Sequence, residues 1–171
     1  MAADLIKYFI KFVLLVLIQV FVLNNIQFSG YVNPYLYVLF IVTLPFAVPR
    51  IWTMCIAFVL GLSIDIFSNT PGMHAFACVM VAFLRHYIIL LFSNSEIYKS
   101  QTELSVISMG KSNFFMYAAT VVFLHHATLF VIDTFSLHSP LFLLQRILYS
   151  FIFTMLLIFG IELFKQKPKQ R

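Results

Sequence analysis

Apolar residues run along this chain in long blocks, broken at short intervals by prolines, asparagines and charges, with no alternation of period two. Continuous apolarity predicts helices, because the strands of a transmembrane barrel alternate lipid-facing and lumen-facing residues. A helix crossing a hydrocarbon core of about 30 Å needs about 20 apolar residues. The punctuation predicts six spans in one domain covering 1–171: 5–23, 35–48, 51–67, 73–92, 113–135 and 141–164. The first is interrupted only by Lys7, Lys11 and Gln19 and stops at Asn24-Asn25. It is too long for a signal-peptide core and no small-x-small cleavage site follows, so it is expected to be a retained span. The second and third are divided at Pro45, Pro49 and Arg50, where a missing backbone donor ends or bends a helix. At helical rise the second covers only about 21 Å, so it is expected to recruit Asn33-Pro34 or to be shielded by neighbouring helices.

Charge sets the orientation of such a bundle, since short loops rich in Lys and Arg remain cytoplasmic. Lys7, Lys11, Arg50, Lys99, Lys111 and the tail cations Lys165, Lys167, Lys169 and Arg171 all fall on one side if the spans number six, with both termini cytoplasmic. The remaining connections, 24–34, 68–72 and 136–140, contain neither Lys nor Arg. If 35–67 formed one kinked helix instead, five crossings would carry the basic tail outside against the same rule.

Composition narrows the class further. With 62% apolar and 10% charged residues in a chain of 171, a soluble globular domain is excluded, and 18% aromatic content excludes a disordered one. The formal charge of +5 does not indicate nucleic acid, because the cations are spread over helix ends without interleaved exposed aromatics; it suits topology setting and attraction to anionic membrane lipid. Cys55 and Cys78 lie inside apolar runs and are expected to be packing residues.

Ionisable groups inside spans are costly and need partners. Arg146 lies in the outer half of span six, with Asp133 and Asp65 near the outer ends of spans five and three; either aspartate can pair with Arg146, or all three can be solvated, Arg146 snorkelling outward. Arg85 and His86 are expected to face the bundle, on the side of a small-residue stripe formed by Ala75, Cys78 and Ala82. A second stripe, Ala57, Gly61 and Asp65, follows span three, and a winding polar seam, Arg146, Ser150, Thr154 and Glu162, follows span six. The loop 93–112, about 20 residues with Glu96, Lys99, Glu103 and Lys111, exceeds a tight turn and predicts a partly helical cytoplasmic contact surface.

Catalytic patterns are weak. His125 and His126 are adjacent, about 100° apart on a helix, and cannot chelate one metal from one face. His126 and Asp133 share a face and could form a relay, but a hydrogen-bonded packing histidine is the simpler reading. No nucleophile elbow, phosphate-binding glycine loop or zinc-protease pattern is present. The chain is therefore expected to be no enzyme.

The most informative stretch is Gly61-Leu62-Ser63-Ile64-Asp65, followed by Pro71-Gly72-Met73-His74-Ala75: a helix ending in an acid, a tight outer turn, and a new helix opening on His74. A Gly-x-x-x-Asp helix end followed by a Pro-Gly-x-His-Ala turn, in a chain of this length, resembles the MreD family of bacterial rod shape-determining membrane proteins. That resemblance implies a six-helix bundle like the substrate-binding subunits of energy-coupling-factor transporters, in the bacterial cytoplasmic (inner) membrane. It implies a non-catalytic scaffold binding an MreC-like bitopic protein, with MreB filaments, a RodA-type glycosyltransferase and a class B penicillin-binding transpeptidase as further members of the wall-elongation complex. No cofactor and no metal are implied. Gly61, Asp65, Pro71, Gly72 and His74 would shape the outer face, and Arg85, Asp133 and Arg146 are candidate structural or partner-binding groups. The alternative function is a substrate-binding subunit of an energy-coupling-factor type transporter; against it, 5–23 has no Ala, Gly or Ser on which a coupling subunit could dock.

Overall fold

A computed structural model describes residues 2–26, 32–93, 103–134 and 140–165; the tail cations beyond Lys165, the loop charges Glu96 and Lys99, and most of the connection before Pro140 lie outside these residues. Helices form most of the described residues, and no strand is present among them: α1 (Ala2–Phe21), α2 (Val38–Thr43), α3 (Arg50–Ser68), α4 (Met73–Phe92), α5 (Val106–Met109), α6 (Lys111–Thr134) and α7 (Pro140–Phe164). Five helices, namely α1 with its 3-10 extension to Asn25, α3, α4, α6 and α7, are long and apolar enough to cross a membrane. The chain is a multi-pass membrane protein.

The helices pack as neighbours in sequence: α3 on α4, α4 on α6 and α6 on α7, with α1 against α3. Their mutual faces are those expected from the small-residue stripes. Gly61 of α3 meets the backbone of His74 and Ala75 of α4, and Ala57 on α3 and Ala75, Cys78 and Ala82 on α4 are buried. Faces turned to lipid carry Leu, Ile and Phe, as on α1, where Leu5, Phe9, Ile10 and Phe21 are exposed.

The largest departure from the sequence pattern is the second predicted span. Instead of a helix over 35–48, only six residues are helical, and the whole stretch from Tyr35 to Leu44 is buried among the long helices. The cause is the imino acids: Pro34 precedes it, Pro45 removes a donor just beyond it, and Pro49 precedes α3. Shielding by neighbours, one of the two expected solutions, is the one adopted. The segment lies antiparallel to α1, with Gln19 opposite Leu36 and Lys11 opposite Thr43.

Irregular backbone at membrane depth persists only when protein satisfies its polar groups. At the start of this segment, the amide of Asn33 donates to Ser150 Oγ (3.2 Å), that of Tyr35 to Thr154 Oγ1 (2.9 Å) and that of Leu36 to Gln19 Oε1 (2.8 Å), while Gln19 Nε2 donates to Pro34 O (3.0 Å). At its end, the freed carbonyls are taken in order: Val42 O by the Tyr117 hydroxyl (2.9 Å), Thr43 O by the Leu104 amide (3.1 Å) and Leu44 O by the Arg85 guanidinium. The polar seam on α7 and the buried Arg85 on α4 therefore hold a broken helix in place.

Candidate functional site

The residues that carry the family resemblance form one construction at the end of α3. Asp65 is buried, and its carboxylate accepts three hydrogen bonds: Oδ1 from the His74 amide (3.0 Å) and the Thr70 hydroxyl (2.6 Å), Oδ2 from the Ala75 amide (2.9 Å). His74 and Ala75 open α4, whose N-cap Gly72 has no side chain to offer those amides. Asp65 thus caps the next helix from the preceding one, with the sign of charge that a helix N-terminus favours. Its own carbonyl accepts from the amides of Asn69 and Thr70 (3.1 Å for the latter), closing α3 through the left-handed Asn69. Pro71 and Gly72 complete the turn, Gly72 at φ 80. Gly61 permits the close approach: a Cβ there would lie 2.5 Å from Ala75 Cα and from His74 O.

Asp65 is consequently neither a solvated helix end nor the partner of Arg146. Arg146 pairs with Asp133 at 2.5 Å and sits over the Phe130 ring, 4.4 Å from its centroid. Both side chains keep about a quarter to a third of their surface exposed, at 25% and 32%.

Between these two features opens a cavity of about 320 Å³, lined on its polar side by Asn24, Asn33, Tyr35, His74, Asp133 and Arg146. Beneath it lies a buried aromatic and histidine cluster. The Tyr37 hydroxyl bridges His74 Nδ1 (2.7 Å) and His125 Nε2 (2.9 Å), and the Tyr35 ring packs edge-on to His74 and His125 and tilted on His126. One hydroxyl proton cannot serve both imidazoles, so one ring nitrogen donates to Tyr37 and the other accepts from it. His126 is engaged by Val122 O (2.8 Å) and Thr154 Oγ1 (3.1 Å) while Asp133 is engaged by Arg146, so the relay between His126 and Asp133 does not form. Among the described residues no group of three or more His, Cys, Asp or Glu side chains converges to hold a metal ion.

The opposite end of the bundle is charged. Glu103 binds Lys7 (3.0 Å) and Lys11, with Lys165 at 3.8 Å, so both ends of the described chain meet at one carboxylate. Lys165 also pairs with the buried Glu162 at 2.6 Å. Burial pushes the Glu103 carboxyl up, but the hydrogen bond and charge of Lys11, followed by Lys7 and Lys165, outweigh it and hold the group below its ordinary value. The expected partly helical loop is represented here by α5, a single turn with a Ser105–Ser108 capping box, tucked inward through Leu104, Val106 and Met109.

Two expectations fail. Arg85 faces the bundle but His86 does not; it is exposed and stacks on Phe46, 5.0 Å between centroids. Cys55 is exposed where packing was expected, whereas Cys78 is buried. A step of one residue turns a helix by about 100°, so neighbours in sequence rarely share a face. Residues that carry much of the internal geometry, Gln19, Tyr37, Tyr117 and Glu103, gave no signal beyond being isolated polar or aromatic positions.

No protein-family model, curated protein or solved structure matches the chain.

Proposed function

We propose that this chain is a non-catalytic scaffold of the bacterial wall-elongation complex, of the MreD type, binding an MreC-like bitopic protein in the cytoplasmic membrane. The observation that carries this reading is the engagement of Gly61, Asp65, Pro71, Gly72 and His74 in fixing one helix hairpin. A carboxylate already holding three donors is not available as an acid, base or ligand. Residues used this way preserve the shape of an outer surface, which is what a partner-docking subunit requires.

In this reading the chain crosses six times, counting the segment around α2, with both termini cytoplasmic and an architecture like the substrate-binding subunits of energy-coupling-factor transporters. Two features support it: the antiparallel course of 33–44 beside α1, and the gathering of Lys7, Lys11 and Lys165 at one end. MreB filaments, a RodA-type glycosyltransferase and a class B penicillin-binding transpeptidase are then further members of the assembly.

Crosslinking in cells, affinity purification in mild detergent and mass spectrometry test this directly. A bitopic coiled-coil protein recovered with wall-synthesis enzymes is the expected result. Recovery of paired ATPases with a coupling membrane subunit overturns it in favour of the second reading, a small-molecule transporter component. That reading is favoured by one specific observation, the polar outer cavity, which has more hydrogen-bonding groups than the short outer connections alone would provide.

A further inference from the structure

Of the five long helices, α1 is the least covered by the rest of the bundle. Its bare side carries a shallow groove of about 330 Å³ lined by Phe9, Ile10, Val13, Leu14, Leu17 and Ile18, of which all but Ile18 are exposed. Every lining side chain is apolar, so the groove is open to hydrocarbon and offers nothing to a polar ligand. At helical rise residues 9–18 cover about 14 Å, half of a hydrocarbon core of about 30 Å. The groove therefore runs from one membrane surface to the midplane and stops there, as an acyl chain of one leaflet does. A crossing partner helix would call for a groove along the whole of α1.

Lys7 stands at the surface end. It precedes Ile10 by three residues and Leu14 by seven, spacings that keep one side of a helix, and its side chain is 62% exposed. An ammonium has three N–H donors, and Glu103 accepts from this one at 3.0 Å, so a further acceptor can join from the membrane side. The field around it has the right sign for an anion. Lys7, Lys11, Arg50, Lys111 and Lys165 gather at this end of the bundle against Asp4, Glu103 and Glu162, five cations against three carboxylates among the described residues. The opposite end sets Arg146 against Asp65 and Asp133.

We propose that Lys7 and the groove beside it form a binding site for one anionic phospholipid, its phosphate on the Lys7 ammonium and one acyl chain along residues 9–18. The inference goes beyond the scaffold reading and does not depend on it, since it requires only that α1 crosses the membrane.

Quenching of a single tryptophan by brominated lipid tests this in the full chain reconstituted into bilayers. Trp52, the sole tryptophan, is removed by Trp52→Phe, and one reporter at a time is introduced, Leu17→Trp at the inner end of the groove or Phe123→Trp on α6. Both positions are exposed, and each lies about 15–18 Å along its helix from a lysine at the same end of the bundle, Lys7 or Lys111, but Phe123 is outside the groove. The bilayers mix phosphatidylglycerol with phosphatidylcholine, and one or the other is brominated towards the end of its chains. A lipid held by both headgroup and chain transmits its headgroup preference to the midplane, whereas freely exchanging chains do not. The expected result is a preference for phosphatidylglycerol of about fivefold at the Leu17→Trp reporter, the effect of one surface cation on an anionic lipid, and none at the Phe123→Trp reporter. Lys7→Gln should abolish the preference with helical circular dichroism unchanged, and Lys7→Arg should keep it. Equal preference at the two reporters reduces the effect to the general charge of that membrane face and overturns the proposal. A preference that survives Lys7→Gln overturns it too, as does a Leu17→Trp reporter quenched by neither lipid, which would mean that protein covers the groove. Both reporters retain Lys7, so their comparison is decisive whether or not Lys7→Gln folds.

Discussion

At the scale of single residues, Gly61 and Asp65 act together because neither tolerates much change in the other's surroundings. Adding a methyl group at Gly61 drives it into the backbone of His74 and Ala75, which cannot rotate away as a side chain could. Gly61→Ala is therefore expected to destabilise by about 1–3 kcal/mol, the usual range for forced overpacking, and to lower the thermal midpoint of the detergent-purified protein. Gly160→Ala, where nothing lies within 4 Å of the added carbon, should leave the midpoint unchanged or slightly raised. The pair Arg146 and Asp133 allows a different measurement. Both side chains are partly exposed, so their coupling in a double-mutant cycle with Arg146→Ala and Asp133→Ala is expected to be about 1 kcal/mol or less, with the second substitution partly restoring the yield lost to the first. Strictly additive losses would show that the contact contributes nothing.

At the scale of elements, the broken second segment depends on side chains from α1, α4, α6 and α7. Gln19 serves it twice, at Leu36 N–H and Pro34 O. Gln19→Leu leaves both groups unmatched in an apolar interior and is expected to cost about 1–3 kcal/mol for each. Leu14→Ala, on the exposed face of the same helix, should cost far less. Unfolding by graded SDS, followed by loss of helical circular dichroism, compares the two, and equal losses would mean that the segment is not held by Gln19. The five long helices were legible in the sequence because an apolar run of spanning length has few other solutions. Their facing stripes were legible too, since Ala57 and Gly61 recur at the interval that keeps one face. What could not be read was how α2 is satisfied: one glutamine in an apolar run looks like a tolerated exception, and Tyr37 or Tyr117 looks like any other aromatic residue. The proline signals showed where the second segment stops, but not that only Val38–Thr43 would be helical. At the candidate site, the residues of the α3–α4 turn were found by their pattern and the Arg146 pairing was left open between two aspartates. The choice between them depends on α4 amides claiming Asp65 first, which is a tertiary fact.

At the scale of the whole molecule, Glu103 ties the first helix, the last helix and the α5 segment into one closed end. Its carboxyl lies below the ordinary value of 4.5 in the folded chain, so the unfolded chain binds its proton first as pH falls. The stabilisation from its ion pairs is then complete above about pH 4.5 and is lost as pH drops through the lower folded value. Thermal midpoints measured from pH 7 to pH 3 should fall more steeply below 4.5 for the wild-type chain than for Glu103→Gln, and parallel curves would remove Glu103 as the cause. The backbone around α2 has a consequence in time as well as in space. Its amides at Asn33 and Tyr35 are matched by Ser150 and Thr154, which lie 117 and 119 residues further along the chain. A ribosome delivers residues 33–44 to the membrane long before those hydroxyls exist, and lipid offers no substitute. Full matching of this stretch is therefore expected only once α7 has been made, and a chain truncated before Ser150 is expected to be less stable in the membrane than the full chain.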